Sequence, residues 1–292
     1  MALYSDVLLT VDFDRTLTGP DSAIPQRNIE AIRFFIQNGG AFTVNTGRSI
    51  PMSLRNIIGT VPTSAPLLLY NGSAAYDTSS GQLTWFAPLE LDPMAVLPEL
   101  QARFPELNVE VQAVDAHYLM KKNPGWEDYC SHNGCEWKYA SPDSIPGPFL
   151  KIAIYGQFQE NTVASMYEAT PQELALFDKA IDYVEKTYGH KVDVFRACAR
   201  IVDIHAKGVS KLRSARQLQQ QLGRKILVCV GDAENDLTML EGADYAFCPA
   251  DGVVADLFPN VCSCAQGSVA DVIYKKLPKI LSFRLDKYEY VC

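Results

Sequence analysis

Short apolar runs alternate with amphipathic stretches along this chain, and polar residues gather where the apolar runs stop. Val7 to Val11 (VLLTV) is continuous, apolar and partly β-branched, which predicts a buried strand ending at Asp12. Pro25 to Asn38 carries Ile29, Ile32, Phe35 and Ile36 at helical spacing, with Pro25 near the start and Gly39 as a stop. Ala41 to Val44 predicts a second strand, ending at Asn45 and Thr46, and a helix follows Pro51. Pro66 to Tyr70 (PLLLY) predicts a third strand, ending at Asn71-Gly72. Strands that alternate with helices pair in parallel and form a doubly wound α/β sheet. Ligands bind such sheets at the carboxyl ends of the strands, where these polar residues fall.

The pattern loosens between about Ser80 and Ala206. Leu150–Tyr155, Lys191–Val194 and Ile201–Ile204 predict strands, and Thr170–Tyr188 predicts a helix, among loops containing Pro and Gly. This stretch reads as a separate α+β unit. Alternation then resumes. Val209–Leu222 predicts a helix stopped by Gly223, and Lys225–Val230 (KILVCV) a buried strand ending at Gly231-Asp232. Leu237–Leu240 predicts a helix, Tyr245–Phe247 a strand and Ser268–Lys276 a helix. The expected architecture is α/β: a Rossmann-like doubly wound parallel sheet core with an inserted α+β domain. The expected division is core over 1–82, insertion over 83–204 and core again over 205–292. The chain shows no internal repeat or low-complexity segment.

Composition narrows the function. The 292 residues are 48% hydrophobic, enough for a sizeable core, and carry a formal charge of −8. That acidity argues against nucleic acid as a partner. It leaves a small anionic substrate open, since a site's local field can differ from the net charge. No apolar run is long enough to span a bilayer, so no membrane partner is expected. Met1 to Thr10 lacks a basic segment and a cleavage site, so no signal peptide is expected. Eight cysteines in a chain of this size, with Cys198, Cys229 and Cys248 in apolar runs, point to buried thiols in a reducing cytoplasm. Cys130, His132 and Cys135 form one cluster and Cys262 and Cys264 another, but neither spacing matches a zinc signature.

Four constellations carry chemistry. Asp12-Phe13-Asp14-Arg15-Thr16 follows the first strand; two carboxylates flanking one residue can face a common Mg²⁺, a hard cation that takes oxygen ligands. One can attack phosphorus, and the other can protonate the leaving oxygen and then deprotonate water. Taken alone, the same residues also describe a polar turn in which Thr16 bonds the backbone. Asn45-Thr46-Gly47-Arg48-Ser49 offers a hydroxyl and free N–H groups at a helix start, a phosphate cradle, or else an N-cap followed by a solvated arginine. Lys207-Gly208-Val209-Ser210-Lys211 brings a lysine to a helix start. Gly231-Asp232-Ala233-Glu234-Asn235-Asp236 clusters acids and an amide, with Asp232 completing a cation site and Asp236 orienting its neighbours.

The order and spacing of all four together resemble the haloacid dehalogenase superfamily of phosphohydrolases, and more narrowly its Cof-type, type IIB branch. The resemblance spans nearly the whole chain and is strongest in Val11–Arg48, Leu69–Ala74 and Lys207–Leu240. It implies that the inserted domain is a cap. It implies that Asp12 is the nucleophile and a Mg²⁺ ligand, and that Asp14 is the acid/base and gives the metal its backbone carbonyl. Lys211 matches the catalytic lysine better than Lys207, because the family's usual run is KGVSKG. Asp232 matches the acidic Mg²⁺ ligand; beside it, Asp236 is expected to join the metal residues and Asn235 the substrate- and phosphate-binding ones. Thr46, Gly47 and Arg48 fall in the phosphate-binding motif, and Asn71-Gly72 matches a turn close to the substrate. Two departures stand out: Arg15 where the family usually has Gly, and Leu212 in place of the Gly after the lysine.

The resemblance thus implies a cytoplasmic, Mg²⁺-dependent phosphatase acting on small phosphorylated metabolites through an aspartyl-phosphate. Asp14 must then hold a proton well above the carboxylate reference pKa of about 3.9. The cap is expected to exclude water and select the leaving group, with Lys121, Lys122, Trp126 and Lys151 as candidate selectors. A phosphotransferase or mutase of the same fold, and a catalytically idle binder, are the alternatives.

Overall fold

The structure, a computed structural model, describes residues 2–158, 166 and 168–282. Its strands are β1 Val7–Val11, β2 Ala41–Val44, β3 Leu67–Leu69, β4 Ala74–Asp77, β5 Gln82–Phe86, β6 Asn108–Ala113 and β7 His117–Leu119. They continue with β8 Trp137–Tyr139, β9 Phe149–Tyr155, β10 Val192–Cys198, β11 Ile201–Ala206, β12 Ile226–Val230, β13 Tyr245–Pro249 and β14 Asn260–Val261. The α-helices are α1 Gln26–Gln37, α2 Ile50–Asn56, α3 Pro93–Arg103, α4 Pro124–His132, α5 Pro171–Tyr188, α6 Lys211–Gln221, α7 Leu237–Glu241 and α8 Ser268–Asp271. The elements divide into two units, one of Met1–Thr46, Val61–Leu68 and Lys211–Cys292, the other of Gly47–Thr60 and Leu69–Ser210.

The first unit is built on a parallel sheet in the order β14-β13-β12-β1-β2. Val7 to Val11 pair with Ile226 to Val230 on one side, and Leu8 to Val11 with Ala41 to Val44 on the other. Every residue of β1, β2 and β12 is buried, as expected of strands covered on both faces. The amphipathic face of α1 buries Ile29, Ile32 and Phe35. The helix expected over Ser268–Lys276 is a short α8 continued by a wider π-turn, Val272–Lys276. Because β1 is paired on both sides, its carboxyl end places Asp12 between the ends of β12 and β2.

The second unit has a six-stranded sheet in the order β10-β11-β9-β6-β7-β8. Helix α5 begins with a capping box, Thr170 accepting from the Glu173 amide while the Glu173 carboxylate accepts from Thr170. One sheet face is apolar: Val109, Val111, Ile152, Ile154, Val202 and Ile204 pack with α3 and α5 through Leu97, Leu100, Phe177 and Val184. The alternation that puts those residues on one face puts Glu110, Gln112, Lys151, Asp203 and His205 on the other. That second face is buried too, although its composition is that of a solvated one. Among the described residues no helix is long and apolar enough to cross a membrane.

Candidate active site

Four segments of the first unit converge beyond the carboxyl ends of β1 and β12. Asp12 sits at the tip of β1, where its amide still donates to the Val230 carbonyl at 2.9 Å. Lys211 opens α6 and is fully buried, which is rare for a lysine unless it is paired. Its ammonium donates to Asp12 Oδ1 at 2.6 Å and to Asp236 Oδ1 at 2.7 Å. Asn45, at the end of β2, donates from Nδ2 to the Lys211 carbonyl at 2.9 Å and so ties the helix start to the sheet. The other oxygen of Asp236 accepts from the amides of Asp232 and Ala233 at 3.0 and 3.2 Å, which fixes the turn after β12. Asp232 in turn accepts from the Thr16 hydroxyl at 2.7 Å.

Two glycines make the approach possible. A Cβ on Gly231 would stand 2.6 Å from Cβ and Cγ of Asp236, so only glycine lets that side chain fold back over the turn. A Cβ on Gly242 would meet Leu212 at 2.3 Å. Leu212, where the resemblance led one to expect glycine, is thus accommodated by Gly242 at the end of α7.

The electrostatics follow from the crowding. Burial pushes the Asp12 carboxyl well above the ordinary range; Lys211 opposes the rise, and Asp236, Asp232 and Asp14 add to it. Burial, with Asp236 beside it, pushes Asp232 up to about 7 against the Thr16 hydroxyl and Lys211. Burial works against the charge on Lys211, but Asp12 and Asp236 outweigh it and raise its pKa. Oxygens of Asp12, Asp232 and Asp236 lie within 4.8 Å of one another. With all three carboxylates ionised, the one ammonium would leave two negative charges for a cation to meet, and the donors are all hard oxygens. A divalent cation such as Mg²⁺ fits that set in charge and in ligand type.

The remaining candidates are distributed as follows. Asp14 is half-buried on the turn after Asp12, and Arg15 beside it is exposed with φ of +59°. Thr46 is buried at the end of β2, its amide donating to the Leu68 carbonyl at 2.9 Å. Asn235 is half-buried on the short turn Glu234–Asp236. Lys207 belongs to the second unit and pairs with Asp193 at 2.6 Å.

Gly47, Arg48 and Asn71 also belong to the second unit. The Gly47 carbonyl accepts from Lys151 Nζ at 2.9 Å, and Lys151 pairs with Asp203 at 3.1 Å. Asn71 donates to Asp203 at 2.9 Å and approaches His205 Nε2 at 3.2 Å, while Ser73 meets His205 Nδ1 at 2.8 Å. Tyr70 and Asn71 both have φ of +53°, a conformation costly for a bulky residue and easier for Asn. The Tyr70 hydroxyl holds it there, donating to the Ala113 carbonyl at 2.8 Å and accepting from the Ile50 amide at 3.0 Å. Arg48 Nη1 donates to Asn133 Oδ1 at 3.0 Å.

Of the expected selectors, Lys151 lies in this buried polar network. Trp126 instead stacks on Tyr129, Tyr155 and Phe158 in an apolar core, and Lys121 caps the Pro105 carbonyl at the surface. The sequence reading missed the Thr16 hydroxyl on Asp232, the Asn45 tie, and Asp203 and His205. Asn45 and Thr16 stood inside the motifs already singled out; Asp203 and His205 had no signal beyond alternation in a strand.

A buried lysine between carboxylates, on loops at the carboxyl edge of a parallel sheet, is the arrangement of a phosphoryl-handling α/β hydrolase. The family model for haloacid dehalogenase-like hydrolases matches residues 9–254, and the chain belongs to that family. It is 22% identical over 267 residues to the Bacillus subtilis (strain 168) protein "Putative phosphatase YxeH", covering 89% of this chain and 91% of that one. Among solved structures it is similar to SMU.1108c from Streptococcus mutans UA159, with a TM-score of 0.76 and 15% identity over 93% of this chain and 98% of that one. It is also similar to the phosphatase BT1666 from Bacteroides thetaiotaomicron, with a TM-score of 0.71 and 16% identity over 96% of each chain.

Proposed function

We propose that this hydrolase is a Mg²⁺-dependent phosphatase that cleaves small phosphorylated metabolites, sugar phosphates or similar, through a phosphorylated Asp12. The observation that carries the reading is the fully buried Lys211 ammonium, held at 2.6 and 2.7 Å by Asp12 and Asp236 beside Asp232. A lysine so placed opposes the burial that raises Asp12, works with a bound cation toward the ionised nucleophile, and meets charge that develops on phosphoryl oxygens.

Asp12, Asp232 and the backbone carbonyl of Asp14 would hold the Mg²⁺. Both oxygens of Asp236 are engaged by Lys211 and by two amides, which favours a positioning role at the rim of the ion's shell over direct ligation. When bound, the ion supplies positive charge to the phosphoryl oxygens. Asp12 attacks phosphorus in line, and Asp14, less buried than Asp12, protonates the departing alcohol. The Asp14 carboxylate then takes a proton from water, which hydrolyses the acyl phosphate and restores Asp12. Thr46, Gly47, Arg48, Asn71 and Asn235 are proposed to position the phosphate and its leaving group. The stretch 83–204 is proposed as the cap that selects that group.

The test is phosphate release from a panel of phosphorylated metabolites, with Mg²⁺ and with chelator, for wild type, Asp12→Asn and Asp14→Asn. Mg²⁺-dependent release that both variants lose supports the reading. Full turnover in either variant sinks it. A rearranged sugar phosphate in place of free phosphate would assign the second step to a sugar hydroxyl.

A further inference from the structure

The second unit holds another cluster of metal-ligating side chains, remote in sequence from every residue assigned above. His117 from β7, Cys130 near the end of α4 and Cys135 from the loop before β8 are all buried, with ligand atoms within 4.8 Å of one another. His117 presents Nδ1 to this group, 3.9 Å from Cys130 Sγ. On the neighbouring strand Glu110 is fully buried, and its Oε1, 3.4 Å from the same nitrogen, pairs with the His117 ring beside this group. Tetrahedral zinc with Zn–S of about 2.3 Å and Zn–N or Zn–O of about 2.0–2.1 Å requires ligand atoms roughly 3.3–3.8 Å apart. The 3.9 Å between Nδ1 and Cys130 Sγ lies just beyond that range.

The surroundings orient each donor. Nε2 of His117 lies 2.7 Å from the Ser49 hydroxyl, leaving Nδ1 directed at the cluster, and Ser49 also accepts from the Met52 amide. Glu110 accepts from Gln112 Nε2 at 2.6 Å and from Trp126 Nε1 at 2.7 Å. The Cys135 amide donates to the Cys130 carbonyl at 2.8 Å and closes the loop between the two sulfurs. Such hydrogen bonds to ligating side chains are what fixes a metal site's geometry.

We propose that Cys130, Cys135 and His117 Nδ1 form a buried site for a zinc-like divalent cation. The donor set of two sulfurs and a nitrogen selects a borderline-soft ion over Mg²⁺. It staples β7, the end of α4 and the loop before β8. His132, which stood with these cysteines in the sequence, is exposed and bonds the Asp128 carbonyl, so it takes no part. The two-cysteine spacing looked incomplete because the third ligand, His117, comes from a strand upstream. The staple also bears on Arg48, since the Cys130–Cys135 loop carries Asn133, which accepts from Arg48 and from Asn56.

The experiment measures metal on the full chain. Protein purified without chelator is assayed for zinc, then stripped and titrated with Co²⁺ alone. One equivalent of metal and a thiolate-to-cobalt charge-transfer band are expected. Both should vanish in Cys135→Ser and persist in Asp12→Asn, so failure of the proposed Mg²⁺ site would not imitate failure here. Ser49→Ala should weaken zinc affinity about 10- to 100-fold. Absence of the charge-transfer band in stripped wild type, metal bound equally by Cys135→Ser, or a Cys130–Cys135 disulfide in protein kept under mild reductant overturns the proposal. The cobalt titration uses wild type, so it decides the matter even where a cysteine variant fails to fold.

Discussion

Replacing Lys211 with methionine removes one charge from the centre of the candidate site and keeps nearly the same length and volume. Lys211 is fully buried and holds Asp12 and Asp236 at 2.6 and 2.7 Å, so the change strands both carboxylates. Deleting one partner of a buried ion pair costs about 3–5 kcal/mol. The lower end applies, because burial already favours a proton on Asp12 and on Asp232. Unfolding entropy near 2.1 cal/mol/K per residue gives about 0.6 kcal/mol/K for this chain. A loss of about 3 kcal/mol therefore lowers Tm by about 5 °C. In catalysis, a lost preorganised donor to developing charge is worth about 2.7–4 kcal/mol, or about 10²–10³ in kcat. Lys211→Arg should rescue little, since a planar guanidinium cannot take the place of a compact ammonium in a closed space. Steady-state phosphate release at saturating Mg²⁺, with a thermal melt of the same samples, reads both effects. A Lys211→Met protein within threefold of wild-type kcat and with an unchanged Tm would refute the reasoning.

Other perturbations probe the same logic. Gly231→Ala forces Asp236 off its seat without touching a charge, and kcat should fall at least about tenfold, the worth of one displaced charge-assisted hydrogen bond; unchanged kinetics would show that Asp236 is dispensable. His205 is fully buried, and burial first, then Lys151, holds its pKa well below the ordinary value. The unfolded chain therefore takes up a proton near pH 6.5 that the folded one refuses. The stability His205 contributes is present above that pH and is lost below it, by up to about 1.4 kcal/mol per pH unit. Urea melts at pH 7 and pH 5.5 should show a drop that is smaller in His205→Gln; equal slopes would count against the assignment. Lys151→Met leaves the buried Asp203 without its cation, with Asn71 still donating to it, and should cost about 3 kcal/mol while raising KM; a melt and a KM that both match wild type would exclude that network from a role.

The core was legible where burial on both faces leaves an unbroken apolar run. VLLTV, AFTV and KILVCV each announce a strand, and each strand's last residue marks a loop of the candidate site. The inserted region was much less legible. Asn108–Ala113 alternates as a half-solvated strand would, yet Glu110 and Gln112 are buried against His117 and Trp126. Pattern reports polarity, whereas burial of polar residues depends on partners that fold back from elsewhere in the chain. Helix α3 hid behind Pro93 and Pro98, although Asp92 caps it from outside by accepting from the Met94 amide. Pairwise ties such as Thr16 to Asp232, 216 positions apart, have no local signature at all.

The pairing of β1 on both sides also governs how the protein is made. Its two neighbours emerge from the ribosome at very different times: β2 a few tens of residues later, β12 only after the rest of the chain up to Ile226. At a synthesis rate of about 5–20 residues per second, one side of β1 waits roughly 10–40 s for its partner. Throughout that interval VLLTV presents an unpaired apolar edge, the kind of segment that recruits other nascent chains. The six strands of the second unit's larger sheet, from Asn108 to Ala206, are all synthesised inside the same interval. Asp12 meets Lys211 only near its end, so a chain stalled or truncated before Lys211 leaves the Asp12 carboxylate without its buried counter-charge and is a natural substrate for quality control.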